Sequence, residues 1–177
     1  HCPDSGRPRS RMSLGDEAQD LGKARRRPLY YFLILTLGVG AIASLFTTQQ
    51  IPGWYNHLLH PAFAPPDWVF APVWTLLYVL MAISAWRVWQ KAGLKSLAMT
   101  SFALQLALNF TWSVLFFALH QIGMALLEIL VLDLAILVTV LLFFRHDRVA
   151  GLLFLPYLAW MAFASLLTHS FWRLNGG

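Results

Sequence analysis

Of the 177 residues, 58% are hydrophobic and only 12% charged, with a mean hydropathy of +0.60. A soluble domain of this length carries about 25% charged residues, so the composition points to the membrane. It leaves no basic, aromatic-interleaved soluble surface for nucleic acid, and one cysteine, Cys2, excludes both an intramolecular disulfide and a cysteine metal site.

Residues 1–28 are expected to form a polar, disordered N-terminal tail. It sets Asp4, Asp16, Glu17 and Asp20 against Arg7, Arg9, Arg11, Lys23, Arg25, Arg26 and Arg27. It holds no apolar run, and so no cleavable signal peptide; Met12 is a candidate start. Residues 29–175 are expected to form one membrane domain. Five apolar stretches, at roughly 29–48, 68–89, 97–119, 122–144 and 149–172, are long enough to cross a ~30 Å hydrocarbon core as helices. Barrel strands are not predicted, because period-2 alternation is missing. Lipid also offers the backbone no hydrogen-bond partner, which favours helices. The predicted fold class is all-α, an integral membrane bundle of five transmembrane helices.

The net charge of +5 reports topology through its placement. With five crossings, Arg25, Arg26, Arg27, Arg87, Lys91, Lys95, Arg145 and Arg148 gather on one side and Arg173 alone on the other. The N-terminus is therefore expected on the cytoplasmic side. No internal or inverted repeat is visible, which argues against the common secondary-transporter plans.

In the first helix Gly40 and Ser44 form a small-xxx-small pair suited to close helix approach. Residues 54–78 then hold seven aromatic residues and four prolines, with no Lys or Arg. This stretch is expected to cover the mouth of the bundle and enter the second helix. Trp74, Tyr78 and Met81 fall on one face there, with Pro72 in the first turn, where proline costs little. Trp54 and Trp68 sit near the membrane–water boundary, a depth that aromatic residues favour.

The third helix places Gln105, Asn109, Trp112 and Phe116 on one face, with Ala103 and Ala107 on a roughly opposite small-residue face. Two amides in lipid need partners, either across helices or in a polar ligand. Glu128 and Asp133 in the fourth helix are about 140° apart and do not form a paired-carboxylate site. Interhelical hydrogen bonding and a proton or cation role both remain open for them. In the fifth helix Trp160, Ala164 and Leu167 share a face, and Pro156 leaves the carbonyl of residue 152 without its helical partner. His57 and His60 share a loop without a third ligand, so no metal site is expected. No nucleophile–base arrangement or phosphate-cradling loop is present, so the chemistry of a conventional enzyme is not visible.

These residues resemble the TspO/translocator protein family, also described as tryptophan-rich sensory proteins or peripheral-type benzodiazepine receptors. The likeness is carried by three separated blocks. The first is Trp54-Tyr55, Leu58, Pro61, Phe63, Pro65-Pro66, Trp68, Phe70, Pro72, Trp74 and Leu77-Tyr78. The second is Gln105, Asn109, Trp112-Ser113 and Phe116-Phe117, and the third runs from Pro156 to Trp160, then Phe163-Ala164 and Trp172 to Asn175. Two positions depart from the pattern: His60 stands where the family often has Lys, and Phe171 where a sterol-contact pattern prefers Tyr.

The resemblance implies a five-helix bundle, usually a homodimer in the lipid bilayer, with a ligand pocket under the first loop. Carried over by position, the pocket would use Trp54, Tyr55, Pro65, Trp74, Tyr78, Asn109, Trp112, Trp160 and Ala164. The implied ligand is a porphyrin or haem-related tetrapyrrole, or another flat hydrophobic molecule, with no cofactor required. A receptor or translocator with a sensory or regulatory role is the first reading. Light-dependent porphyrin breakdown using Trp74 and Trp160 is an alternative, and a regulatory membrane interaction partner is another. The charge pattern suits a bacterial cell membrane; related proteins also occupy outer and mitochondrial membranes.

Overall fold

Five helices follow one another in the computed structural model, which describes residues 14–176. Helix α1 spans Leu14–Gln50, α2 Phe70–Ala92, α3 Leu97–Ser113, α4 Ile122–His146 and α5 Arg148–Asn175. All five are long and apolar enough to cross a membrane, three of them with the short turns that extend α1 (Ile51–Tyr55), α2 (Asp67–Val69) and α3 (Val114–Ala118). This agrees with the five stretches expected from sequence, and the chain is an integral multi-pass membrane protein.

The N-terminal boundary differs from expectation. Cys2, Met12 and the rest of residues 1–13 lie outside the described residues. From Leu14 onward, however, the polar segment expected to be disordered is helical and continues through Pro28 into the apolar part of α1. Good helix formers such as Glu17, Gln19, Lys23, Arg26 and Arg27 account for this. At 37 residues α1 is about 55 Å long, far more than a bilayer core needs.

Local chemistry sets the breaks between helices. Gly93, with φ of 76°, ends α2 in the left-handed region, and its N–H donates to the Trp89 carbonyl at 2.9 Å. Ser96 caps α3 by accepting from the Met99 N–H at 3.3 Å. The end of α3 widens into a π-helical turn, Val114–Ala118, and His120 (φ of 56°) turns the chain into α4. Asp147 separates α4 from α5 and caps α5 through the Ala150 N–H at 3.0 Å. Pro156 sits inside α5 on its exposed side without ending the helix.

Packing runs in the circular order α1, α2, α5, α4, α3 and back to α1, with α2 also reaching inward to α3 and α4. Phe102, Phe143, Phe154 and Tyr157 form a continuous aromatic column through the core, with ring centroids 5.2–6.2 Å apart. A sparse set of polar ties crosses the interfaces, as expected where lipid supplies no hydrophobic contrast between helices. Thr36 donates to the Tyr78 carbonyl (2.9 Å) between α1 and α2, and Ser84 to the Ala150 carbonyl (2.6 Å) between α2 and α5. Ser101 bonds Thr139 (2.7 Å) between α3 and α4, and Ser165 donates to Asp133 (2.6 Å) between α5 and α4. Asp133 thus takes the interhelical role left open by sequence, while both Glu128 carboxylate oxygens are buried without a hydrogen-bond partner among the described residues.

At the basic end of the bundle, Arg87 and Lys91 of α2 converge on Asp147 at 3.0 and 2.8 Å. Burial pushes the Asp147 carboxyl up. Hydrogen bonds from Lys91, the Ala150 N–H and Arg87 outweigh that effect and hold it well below the usual carboxylate range.

Candidate functional site

The candidate site lies toward the opposite end, between α1 and α2. Gly40 marks where they touch, because its missing side chain accommodates the Tyr78 ring, which a Cβ would overlap. Above this contact lies a cavity of about 560 Å³, within the range of small-molecule sites. Its walls come from four helices and the first loop. Ala43, Ser44, Thr47 and Ile51 face it from α1 and its continuation, and Tyr55 from the loop. Phe70, Trp74 and Tyr78 come from α2, Trp112, Phe116 and Phe117 from α3 and its π-turn, and Trp160, Ala164 and Phe171 from α5.

The cavity opens sideways. Ala41, Ser44 and Thr48 of α1 line it and are exposed, as are Ala71 and Thr75 of α2. Near-fourfold spacing puts each set on one helical face, so the two faces frame a window between α1 and α2 in the part of the bundle that crosses the bilayer. The rim hydroxyls donate to carbonyls of their own helices: Ser44 to Ala41 (2.7 Å), Thr48 to Ser44 (2.8 Å) and Thr75 to Ala71 (2.8 Å). The methyl groups of Thr48 and Thr75 and the free hydroxyl lone pairs remain to meet a ligand.

The loop is fixed over the cavity at several points. Tyr55, only 3% exposed, packs against Phe171 and Phe117 with centroids at 5.4 and 5.9 Å. His60 covers Tyr55 and Phe171 from outside at 4.8 and 5.2 Å. Asn175, at the end of α5, hydrogen-bonds both the N–H and the carbonyl of Leu59.

Six of the nine residues expected in the pocket line this cavity: Tyr55, Trp74, Tyr78, Trp112, Trp160 and Ala164. Three do not. Trp54 turns toward the α3–α4 connection, stacking on His120 at 4.2 Å and meeting Phe116 edge-on at 5.6 Å. Pro65 stays in the half-buried loop outside the lining. Asn109, 1% exposed, lies behind the wall, where it accepts from the Tyr78 hydroxyl at 2.7 Å and donates to the Tyr157 hydroxyl at 3.0 Å. Of the two readings of this amide, the structure shows helix–helix bonding. Among the described residues its neighbour Gln105 reaches only the Met81 sulfur, at 3.9 Å. Trp68 is 75% exposed and away from the lining, in keeping with a boundary position.

The α1 wall was missed by sequence reasoning, as were Phe117, Thr168 and Phe171. The α1 signal was present in Gly40, Ser44, Thr47, Thr48 and Ile51, a stripe of small and hydroxylated residues at helical spacing. Of these, only Gly40 and Ser44 were read, as a packing pair. Among the described residues that line the cavity, Asp67 carries the sole formal charge, and none is Lys, Arg or His. The arrangement suits non-covalent capture of a flat apolar molecule, by stacking and burial.

Comparison with known proteins gives concordant matches. A model of the TspO/MBR family matches residues 32–173. The chain is 40% identical over 144 residues to tryptophan-rich protein TspO of Archaeoglobus fulgidus, covering 81% of this chain and 94% of that protein. It is 38% identical over 144 residues to the tryptophan-rich sensory protein of Cereibacter sphaeroides, covering 81% and 90%. With the human translocator protein it shares 38% identity over 140 residues, covering 77% and 83%.

Proposed function

Because the chain belongs to the TspO/MBR family, we propose that its cavity binds a porphyrin or related tetrapyrrole, in a membrane receptor or translocator-type role that is sensory or regulatory. The observation that carries this reading is the cavity itself, with Trp74, Tyr78, Trp112 and Trp160 on walls contributed by three helices and a pinned loop above. Aromatic faces of this kind stack on a macrocycle. The sensory and translocator names of the relatives support the role.

Quenching of tryptophan fluorescence by protoporphyrin, titrated into the purified protein, tests the assignment. Saturable quenching is expected, and Trp74→Phe together with Trp160→Phe should weaken it. Unchanged affinity in the double variant removes the assignment.

A second reading, light-dependent breakdown of the bound tetrapyrrole, has one observation in its favour: Trp74 and Trp160 line the same cavity. Product formation under illumination, lost in each single Trp variant, supports it; no product removes it. The proposal also includes a cytoplasmic N-terminus in a bacterial cell membrane, from the basic residues gathered at that end of the bundle. It includes a homodimer meeting on the exposed Ala103 and Ala107 face of α3. Crosslinking between cysteines placed at Ala103 tests that contact, and a monomer at every concentration excludes it.

A further inference from the structure

The aromatic walls do not set the charge of the molecule they accept; the rim does. Asp67 stands in the short 3₁₀ turn Asp67–Val69 that leads into α2. It is exposed and lines the cavity, at the loop end of the window between α1 and α2. Among the described residues it has no ion-pair partner, and no Lys, Arg or His lines the cavity to offset it.

The carboxylate also occupies the place that a helix start would otherwise offer to a ligand anion. The free N–H groups and dipole at a helix start ordinarily favour an anion. Here the chain's own carboxylate already stands at that point. A ligand carboxylate brought to the same rim meets like charge beside a low-dielectric wall, where screening is weaker than in bulk water. A ligand ammonium meets attraction instead.

We propose that Asp67 sets the charge preference of the cavity: flat apolar ligands bearing an amine or no charge are taken ahead of carboxylates, and a tetrapyrrole diacid binds with its propionates turned away from this rim. The inference rests on the cavity being the ligand site, and it does not require that the ligand be a tetrapyrrole.

The test uses the full chain in phosphatidylcholine nanodiscs, whose zwitterionic surface adds no net charge. Pyrenebutylamine and pyrenebutyrate share one apolar body and carry opposite charges. Each is titrated by energy transfer from tryptophan to pyrene, with wild type, Asp67→Asn and Asp67→Lys. The preference for the amine over the acid should fall about threefold to fivefold in Asp67→Asn and further in Asp67→Lys. Asp67→Asn preserves size at an exposed position, so it carries the test even where the lysine variant folds poorly. The same preference in all folded variants overturns the proposal.

Protoporphyrin and its dimethyl ester are titrated in parallel. A charge effect at Asp67 without porphyrin binding removes the tetrapyrrole reading and leaves this one standing. Porphyrin binding with an unchanged pyrene preference does the reverse. No saturable binding of any of the four probes overturns both.

Discussion

Asn175 grips the backbone of Leu59 on both sides. The Leu59 N–H donates to Oδ1 at 2.8 Å, and Nδ2 donates to the Leu59 carbonyl at 3.1 Å. One side chain at the end of α5 therefore satisfies both backbone groups of a loop residue 116 positions away. This clamp and the ring contacts of Tyr55 hold the loop over the cavity.

Release of a bound porphyrin should accelerate when the clamp is cut. Each of two exposed hydrogen bonds contributes about 0.5–1 kcal/mol net, so Asn175→Ala should raise the dissociation rate about fivefold to thirtyfold if the loop must lift. Asn175→Asp keeps the acceptor for the Leu59 N–H but turns a carboxylate oxygen toward the Leu59 carbonyl, and should behave like the alanine variant. Stopped-flow release from preloaded protein measures this. A rate equal to wild type in both variants assigns release to the window between α1 and α2 instead.

Tyr78, Asn109 and Tyr157 should act as a structural unit behind the cavity wall. Tyr78→Phe removes one hydroxyl and leaves the Asn109 oxygen without that donor, a loss of about 0.6–1.7 kcal/mol by the range for bonds between membrane helices. Asn109→Leu strips both tyrosine hydroxyls of their partner and should cost about 2–4 kcal/mol, since each is left buried and unsatisfied. Thermal midpoints in detergent report both. Ligand affinity in Tyr78→Phe should change less than stability, because the ring that lines the cavity is retained.

Much of this arrangement was legible in the chain. The five spans follow from apolar runs of sufficient length, and the aromatic faces of α2, α3 and α5 follow from helical spacing. What spacing cannot give is the neighbour of each face. Asn109 was recognisable as a buried amide needing partners, but nothing local says that two tyrosines on other helices take up both its ends. Trp54 and Tyr55 are adjacent and similar, yet within the π-helical turn Ile51–Tyr55 that continues α1 one faces His120 and the other the cavity. Ser44 read as a packing residue, and Thr48, Ala71 and Thr75 carried no signal of their own, because small side chains serve close contact and open rims equally well. Only the cavity between α1 and α2 beyond Gly40 separates the two uses.

Gly40 should be intolerant of a side chain. Gly40→Ala places a methyl group against the Tyr78 ring, and that ring is anchored at its far end by Asn109. Overpacking of this kind costs about 1–3 kcal/mol, or roughly 2–4 °C of thermal midpoint per kcal/mol for a chain of this size. Combining Gly40→Ala with Tyr78→Leu should recover part of the packing loss, because the smaller side chain vacates the contact; a double-mutant cycle measures that coupling. Strict additivity would show that the two residues do not constrain each other.

Asp147 should stabilise the other end of the bundle across a wide pH range. Its carboxyl is held below its unfolded value, so its contribution is fully present above the ordinary Asp pKa of about 3.9 and is lost as pH falls through the depressed folded value. Asp147→Asn keeps the capping geometry for α5 but removes the charge facing Arg87 and Lys91. Those partners are 35% and 54% exposed, so solvent reduces the penalty of leaving them unpaired to about 1–2 kcal/mol. Asp147→Ala should cost about 1 kcal/mol more, from the lost cap. Thermal midpoints of wild type and Asp147→Asn should differ equally at pH 7 and pH 5 and converge only below about pH 4. A midpoint difference that stays constant below pH 4 would mean that the carboxyl titrates in the ordinary range and that the pairing with Arg87 and Lys91 contributes little.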